Sequence, residues 1–258
     1  MSFGEFYAST YDRLYSEKPY ALEASFVLER LRRSGTSISD VLEFGCGTGR
    51  HAVEFAKQGV AIEGIDISPS MVAIAKERVE TLSGDIRSRL SFSVGDARSM
   101  RLERIFDAAI FLFHVMSYMP DHNSLVAALR TARSHLRAGA PLLFDFWYGP
   151  AVLHEPPRER LRTLVDDLRN VEIERITKPD WRPETNSVNI RFEVTEKDLR
   201  TGSKSTATEQ HEMRYYFDDD IRQALLATNF SLVEIGEWLT GVAPSSQSFG
   251  VYALALAI

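Results

Sequence analysis

The sequence predicts an α/β fold in which a mostly parallel sheet carries helices on both faces. Short apolar runs alternate with segments of helical periodicity from Asp40 to Phe146. This rhythm is typical of parallel strands joined by right-handed crossovers. It breaks between Gly149 and about Arg214, where apolar and polar residues alternate. Such alternation indicates antiparallel strands with one solvated face, so we expect a small β-rich cap inserted after the fifth strand.

Glycine, serine and proline mark where the predicted elements begin and end. Ser68 before Pro69 is a typical helix start, because serine caps free N–H groups and proline suits the first helical position. Gly59 and Gly139 each follow a helical pattern and supply a stop. In chain order, the predicted elements before the break are helix Tyr20–Arg33, strand Asp40–Phe44, helix Gly49–Gln58, strand Val60–Ile67, helix Met71–Leu82, strands Leu90–Val94 and Phe106–Phe113, helix Asn123–Leu136 and strand Pro141–Phe146.

The core pattern resumes after the cap. Helical spacing returns at Asp218–Thr228, and strand patterns follow at Ser231–Trp238 and Gly250–Ala257. The aromatic residues that precede the first strand suit a helical segment that covers the core. The predicted organisation is therefore a helical cover at residues 1–39, a core domain at residues 40–148 and 215–258, and the cap at residues 149–214.

The overall composition narrows the classes of partner and compartment. Among 258 residues, 36 acidic and 30 basic side chains give a formal net charge of −6. An acidic chain is a poor match for duplex nucleic acid, whose binding relies on phosphate neutralisation. No apolar run reaches the roughly 18 residues that span a bilayer, and the N-terminus lacks a signal-peptide pattern. Because Cys46 is the sole cysteine, we expect no intramolecular disulfide and a cytoplasmic location.

The most specific motif is EFGCGTGR at Glu43–Arg50, which follows a predicted strand and opens a helix. Glycines at such a turn let the backbone approach a ligand without a Cβ in the way. The helix N-terminus adds free N–H groups and positive potential. A tight turn alone does not need three glycines at every second position. We therefore interpret residues 45–49, the glycine loop, as a ligand-binding loop.

The glycine spacing separates two classes of cofactor. Dinucleotide-binding enzymes carry G-x-G-x-x-G, whose third glycine packs the helix against the strand. Arg50 stands at that third position here, and the spacing is G-x-G-x-G. In this feature the sequence resembles the class I S-adenosylmethionine (SAM)-dependent methyltransferases. The resemblance implies a Rossmann-like, seven-stranded sheet with an antiparallel last strand, SAM as the cofactor, and cofactor contacts from Glu43, Gly45, Gly47, Gly49 and Arg50.

Two acids that follow later strands extend the resemblance. Asp66 ends a predicted strand, where a carboxylate can accept hydrogen bonds from both hydroxyls of a ribose. Asp66 could instead cap the next helix, but Ser68 is better placed for that role. Asp96 lies in the turn after the third strand. By resemblance, Asp66 binds the ribose, Ile67 and Met71 pack against ribose or adenine, Asp96 reads the adenine amino group, and Ala97 offers its N–H to the ring.

Four further residues are predicted on the acceptor side of the cofactor. Residues just past the carboxyl end of a parallel strand line the ligand crevice, which places Phe113 there as a cofactor contact and His114 as a catalytic candidate. His114 can take a proton from the acceptor, or it can be a structural histidine held by backbone hydrogen bonds. Both interpretations stay open. The N-terminal segment resembles the part of small-molecule methyltransferases that closes over the cofactor, with Tyr11 as a cofactor contact and Tyr15 as a catalytic candidate.

Together these features predict a SAM-dependent methyltransferase that N- or O-methylates a small molecule, such as a sugar or a nucleotide-linked sugar. The run GTGRH at residues 47–51 is similar to that of amino-sugar N-methyltransferases. We expect no metal, because the histidines lack the spacing of a metal site. We expect neither nucleic acid nor membrane as a partner, and a homodimer is left open. The alternatives are a non-catalytic SAM-binding regulatory protein and a dinucleotide-binding oxidoreductase, which the glycine spacing disfavours.

Arginines and aromatic residues in the cap region bear on the acceptor. Arg158, Arg160 and Arg162 come shortly after an aromatic pair, and Trp181 with Arg182 follows later. Aromatic rings stack on bases or sugars, and arginine clamps phosphate through two parallel hydrogen bonds. This combination suits a nucleotide-linked sugar. The alternative is that the arginines form the solvated face of a helix and that Trp181 packs the cap's own core.

Overall fold

The computed structural model describes residues 4–258 and has the predicted α/β architecture. The strands are β1 Asp40–Phe44, β2 Ala61–Asp66, β3 Leu90–Val94, β4 Ala108–Phe111, β5 Pro141–Tyr148, β6 Arg160–Asp166, β7 Val171–Arg182, β8 Ser187–Asp198, β9 Lys204–Tyr216, β10 Phe230–Glu237 and β11 Gly250–Ala257. The helices are α1 Glu5–Leu14, α2 Tyr20–Arg32, α3 Arg50–Lys57, α4 Pro69–Glu80, α5 Gly84–Arg87, α6 His122–Ser134, α7 Gly149–His154 and α8 Asp218–Leu226.

The core sheet is mostly parallel, which confirms the predicted fold class. Its parallel strands run in the order β3-β2-β1-β4-β5. Strand β11 then pairs antiparallel with β5, and β10 pairs antiparallel with β11. The order reverses direction between β1 and β4, and the carboxyl ends of these two strands form the crevice where α/β sheets bind ligands.

Two apolar layers hold helices against the two faces of this sheet. On one face, Phe44 and Phe111 stack in a buried cluster that includes residues of α6 and α8. On the other face, Phe55 of α3 is fully buried among residues of α2, α4 and the sheet. Because both faces are covered, Val41, Leu42 and Phe44 of β1 are fully buried apolar residues, as expected for a central parallel strand. Its one buried polar side chain, Glu43, is therefore an exception that needs a functional account.

The cap strands β6 to β9 form an antiparallel meander, as the alternation predicted. They do not form a separate sheet, however. Strand β5 runs two residues beyond its predicted end, and Trp147 and Tyr148 pair with Tyr215 and Tyr216 of β9. The cap strands, here called the cap sheet, therefore continue the core sheet. The predicted division into cover, core and cap stays a prediction, and residues 1–3 of the cover lie outside the described residues.

Strand β4 ends two residues earlier than predicted. The sequence suggested a strand to Phe113, but Phe113 and His114 have φ angles of 65° and 64°. Non-glycine residues in this left-handed region carry strain, and such strain is concentrated at functional sites. The chain therefore leaves the sheet after Phe111 and turns its next side chains across the crevice.

Helix α1 packs between the cap sheet and the crevice. Tyr7 and Leu14 of α1 are buried against Ile173 and Val194 of the cap sheet. This packing gives α1 a fixed position next to the carboxyl ends of β1 and β4. None of the helices described within residues 4–258 combines the length and the apolar character needed to cross a membrane.

Candidate active site

The glycine loop connects β1 to α3, and its glycines serve different purposes. A Cβ on Gly45 would lie 2.3 Å from a methyl group of Val115, and one on Gly49 would lie 2.8 Å from the ring of Phe92. These two positions therefore need glycine for close packing. Gly47 has a φ of +55°, and a Cβ there would have no protein atom within 4 Å. Gly47 instead leaves its backbone open to the cavity above the loop.

Asp66 holds the glycine loop in place from the end of β2. One carboxylate oxygen accepts the Gly47 N–H at 2.8 Å, and the other accepts the Ser68 N–H at 2.8 Å. Burial raises the pKa of Asp66, and the two backbone N–H groups oppose that rise. The predicted cap of the next helix is confirmed, since the Ser68 hydroxyl accepts from the N–H of Met71. Asp66 thus fixes the loop while it lines the cavity, and its predicted contact with the ribose stays a prediction.

Glu43 lies beneath the glycine loop with 1% of its surface exposed. Burial and the nearby charge of Asp66 raise the pKa of Glu43 to about 8. One carboxyl oxygen, Oε2, has no hydrogen-bond partner among the described residues. Glu43 is therefore mostly protonated at neutral pH and can donate a hydrogen bond. It does not line the cavity, so its predicted contact with the cofactor stays a prediction.

A cavity of about 370 Å³ opens above the glycine loop, between the core sheet, α1 and the cap sheet. It brings together nearly all of the predicted site residues. Gly49, like Glu43, is not on its wall, because Gly49 packs against Phe92 and Ala75 instead. The predicted residues that do line the cavity are Tyr11, Tyr15, Gly45, Gly47, Arg50, Asp66, Ile67, Met71, Asp96, Ala97, Phe113 and His114.

Asp96 stands at the mouth of this cavity next to Arg98. The Arg98 guanidinium donates to both carboxylate oxygens, with N–O distances from 2.5 to 3.1 Å. The hydrogen bonds from Arg98 lower the pKa of Asp96. Asp96 is therefore a carboxylate with one face already occupied, and an adenine would meet it together with Arg98.

His114 is held by a buried acid that the sequence analysis missed. Asp145 of β5 is 2% exposed, and both of its carboxylate oxygens accept the His114 backbone N–H, at 3.0 and 3.1 Å. The ring Nδ1 of His114 lies 3.1 Å from Asp145 Oδ2, close enough for an ion pair once the ring is protonated. The signal was present as a single acid within the apolar run PLLFDFWY. Asp145 thus both fixes the strained backbone at His114 and faces its imidazole.

Tyr15 closes the other side of the cavity at the end of α1. The centre of its ring lies 4.7 Å from the centre of the Tyr11 ring and 5.1 Å from that of the Phe113 ring, which it meets edge-on. Its hydroxyl accepts a hydrogen bond of 2.9 Å from Arg175 of β7. No sequence pattern indicates this contact, because the two residues are 160 positions apart.

Asp12 ties α1 to the glycine loop. The Thr48 hydroxyl donates to Asp12 at 2.6 Å, and Arg78 of α4 donates both to Asp12 and to the Thr48 carbonyl. The Arg50 guanidinium donates to the Asp12 carbonyl at 3.1 Å and lies 4.4 Å from the centre of the Tyr20 ring. Arg50 therefore acts mainly as an anchor for α1 at the edge of the cavity.

Comparison with known proteins supports the resemblance to methyltransferases. A sequence profile described as "Methyltransferase domain" matches residues 41–139, which include the glycine loop and Asp66. A dTDP-3-amino-3,4,6-trideoxy-alpha-D-glucopyranose N,N-dimethyltransferase of Streptomyces venezuelae is 30% identical over 146 residues, 56% of this chain and 58% of that relative. Residues 41–139 therefore contain a methyltransferase domain, and the chain is similar to SAM-dependent methyltransferases. The predicted resemblance, and with it the predictions of a methyltransferase and of SAM as cofactor, is confirmed.

Solved structures extend the similarity of fold to almost the whole chain. A SAM-dependent methyltransferase from Clostridium acetobutylicum ATCC 824 has a TM-score of 0.81 at 18% identity and covers 97% of both chains. A SAM-bound amino pentose methyltransferase from Micromonospora echinaspora has a TM-score of 0.74 at 21% identity, over 100% of this chain and 98% of that one. Neither the oxidoreductase nor the non-catalytic alternative is favoured by these comparisons.

The residues present fit SAM on three observations. Gly47 opens the loop where a side chain would fill the cavity. The buried Glu43 beneath the loop has an unpaired carboxyl oxygen. The aromatic rings of Tyr11, Tyr15 and Phe113 form a wall that suits a sulfonium cation, because ring faces attract positive charge. The site therefore has a glycine loop and an aromatic wall that fit SAM, with a buried acid beneath the loop.

The cap side of the cavity contains residues that the sequence analysis did not single out. The Tyr118 hydroxyl lies 3.1 Å from Nδ1 of His211, and Phe192 completes this wall. Burial lowers the pKa of His211 to about 4, so the ring is neutral at physiological pH. Strand alternation in β9 could have indicated that His211 points inward, but not that it meets Tyr118, which is 93 positions away.

Proposed function

We propose that this methyltransferase transfers the methyl group of SAM to an amino group of a small molecule, and that an amino sugar is its acceptor. One observation carries the proposal. The glycine loop, Tyr15 and His114 line one cavity, enclosed between α1 and the cap sheet, and Asp145 faces the imidazole of His114 from outside that cavity. Cofactor loop and proton acceptor are therefore close enough to act on one bound substrate.

The chemistry needs a neutral amine and an open path for its proton. SAM supplies a methyl group already activated by the positive sulfur. When the amine nitrogen forms its bond to the methyl carbon, the carbon–sulfur bond breaks and the nitrogen loses a proton. His114 can take that proton at Nε2, because Nδ1 faces Asp145. The Asp145 carboxylate then stabilises the imidazolium that forms.

The cavity walls supply positioning and exclude water. Tyr11, Tyr15 and Phe113 contact one another on one side, and Tyr118 and Phe192 lie on the other. Such a wall holds a small acceptor in line with the methyl–sulfur bond. Orientation of this kind contributes on the order of 7–11 kcal/mol at best. We infer that alignment, rather than strong acid–base catalysis, provides most of the acceleration.

The amino-sugar acceptor is supported by the relatives. The Streptomyces venezuelae relative is named for N,N-dimethylation of a dTDP-linked amino sugar, and the Micromonospora echinaspora structure for methylation of an amino pentose. The chain spans little more than half the length of the first of these relatives, so the acceptor is our proposal for this chain. The absence of nucleic-acid and membrane partners, the cytoplasmic location and the homodimer also stay predictions.

The test is a panel of free amino sugars, nucleotide-linked amino sugars and their hydroxyl analogues, incubated with SAM. S-adenosylhomocysteine (SAH) and methylated products are measured by mass spectrometry. We expect turnover on at least one amino sugar, and a large loss of turnover in His114→Ala. His122→Ala, at the N-terminus of α6 and outside the cavity, is the matched control. Turnover only on hydroxyl analogues, or on none of the sugars, would overturn the proposed acceptor.

A further inference from the structure

A second cavity of about 850 Å³ adjoins the active site. It lies between α7, the cap strands β6 and β7, and the segment before β11. Tyr15, Ile190 and Phe192 line both cavities. A molecule with one end at the methyl group can therefore continue past Tyr15 and Phe192 into the second cavity.

The second cavity is positively charged. Its charged lining consists of four arginines and one acid, Glu155. Arg158 precedes strand β6, Arg160 and Arg162 lie on it, and Arg175 lies on β7. The first three are therefore not on a helix, which was the alternative considered from the sequence. Arg162 is paired with Glu17 at 3.1 Å, whereas Trp181 and Arg182 lie outside both cavities. The four arginines are Arg158, Arg160, Arg162 and Arg175.

Arg175 combines partial burial with the absence of a counter-ion, whereas Arg158 and Arg160 are exposed and Arg162 is paired. Within residues 4–258 no carboxylate lies within 4 Å of its guanidinium, although the side chain is partly buried. It is held instead by rings, with its guanidinium 5.4 Å from the Tyr15 ring centre and 5.2 Å from that of Phe192. Its Nε is buried without a hydrogen-bond partner.

Neighbouring cations of the cap sheet show the contrast. Lys178, on the same strand as Arg175, pairs with Glu193 at 2.8 Å. Arg182 pairs with Asp180 at 2.8 Å, and Arg191 pairs with Glu193 at 3.1 Å. A partly buried cation without a counter-ion is destabilising, so its position at a cavity wall points to a ligand that supplies the missing charge.

We propose that Arg175 is the centre of an oxyanion subsite that binds a phosphoryl group of the acceptor and positions Tyr15 over the methyl-transfer site. The inference rests on the proposed function, because it gives that acceptor a second, anionic end. Arginine suits this role, since its planar fork can hold two phosphoryl oxygens at once. The hydrogen bond from Arg175 to the Tyr15 hydroxyl links anion binding to the position of the reacting groups. Arg175 is thus a positioning and specificity-determining residue.

The first test measures anion binding without turnover. Thermal unfolding is followed with saturating SAH and increasing pyrophosphate, at constant ionic strength, with malonate as a dicarboxylate probe. We expect pyrophosphate to raise Tm by about 3–5 °C for each tenfold rise in concentration above its Kd. The increase should vanish in Arg175→Gln, shrink in Arg175→Lys and persist in the control Lys178→Gln. Arg160→Gln, at the exposed edge of the cavity, should weaken the effect even if Arg175→Gln fails to fold.

The second test uses the kinetics of methyl transfer. On a phosphorylated acceptor, Arg175→Gln should raise KM by about 10–100-fold, the scale of a hydrogen bond to a charged group. On the corresponding neutral sugar its KM should rise much less than on the phosphorylated acceptor, because only the positioning of Tyr15 is lost there. The subsite would be overturned if pyrophosphate did not stabilise the wild type, or if malonate stabilised it equally. The proposed function would survive that result as long as the wild type still bound SAH and methylated an amino sugar. Pyrophosphate binding without turnover on any acceptor would overturn the proposed function alone.

Discussion

Replacing Asp145 by asparagine removes the negative charge that faces His114 but keeps the size of the side chain. The asparagine oxygen can still accept the His114 N–H, which donates to both carboxylate oxygens at 3.0 and 3.1 Å in the wild type. The asparagine amide nitrogen cannot accept a hydrogen bond. The neutral asparagine also cannot stabilise a protonated imidazole, whose Nδ1 lies 3.1 Å from the carboxylate in the wild type. The substitution therefore perturbs both the backbone turn and the proton acceptor.

Two magnitudes follow from these contacts. Loss of one hydrogen bond to a charged group lowers the free energy of unfolding by about 1.5–3 kcal/mol. Loss of the charge that supports a general base lowers kcat by about 10²–10⁴-fold. SAH affinity should change little, because Asp145 does not line the cofactor cavity.

The assay combines steady-state turnover, SAH titration and thermal unfolding. The matched control is Asp107→Asn, because Asp107 also accepts backbone N–H groups, from Ser39 at 3.0 Å and Asp40 at 3.1 Å, at the opposite end of the sheet. We expect a similar fall in Tm for both variants and a fall in kcat only for Asp145→Asn. In the double variant with His114→Gln, the loss of kcat should not exceed that of His114→Gln alone. An additive loss, or full turnover in Asp145→Asn, would refute the catalytic pair.

Three further predictions concern the cofactor loop. Gly47→Ala places a methyl group in the open cavity and should lower SAH affinity at least about tenfold. The control Gly59→Ala, also at positive φ with open space around it, should lower only the free energy of unfolding, by about 1–2 kcal/mol. Equal SAH affinity in the two variants would refute the loop assignment. Asp66→Ala should weaken SAH binding by about 1–3 kcal/mol in calorimetric titration, since it removes the acceptor of the Gly47 N–H, and unchanged affinity in a folded variant would contradict this. The pKa of Glu43, raised to about 8 from 4.5, means that the folded state keeps a proton that the unfolded chain has lost, so the free energy of unfolding falls as pH rises toward 8. The difference in free energy of unfolding between Glu43→Gln and the wild type, measured in urea, should therefore shift in favour of the variant by up to about 2 kcal/mol from pH 6.5 to pH 8. A difference that does not change with pH would exclude a raised pKa of Glu43.

The parallel core could be predicted closely from the sequence. Strands Asp40–Phe44, Leu90–Val94 and Gly250–Ala257 match the observed β1, β3 and β11 at both ends. Strands β1 and β11 are largely buried and apolar on both faces, and β3 is the edge strand with its single buried residue at Phe92. The residues of the cofactor half of the cavity could be predicted as well, because they lie directly after the parallel strands of the core.

The acceptor half could not be predicted, because its contacts join distant parts of the chain. The turn at Phe113 depends on Asp145 of the neighbouring strand, and the position of Tyr15 depends on Arg175, 160 residues later. The alternation of the cap strands gave their periodicity but not their attachment to the core. That attachment arises where Trp147 pairs with Tyr215 beyond the predicted end of β5.

The central claim is that the cavity above the glycine loop binds SAM for methyl transfer to a small molecule. Calorimetric titration of the wild-type chain with SAH, and separately with NAD, tests its first half most directly, with Gly47→Ala as the site control. We predict one SAH bound per chain, a loss of affinity of at least about tenfold in Gly47→Ala, and no heat of binding for NAD. Binding of NAD in place of SAH, or SAH binding that Gly47→Ala leaves unchanged, would contradict the account.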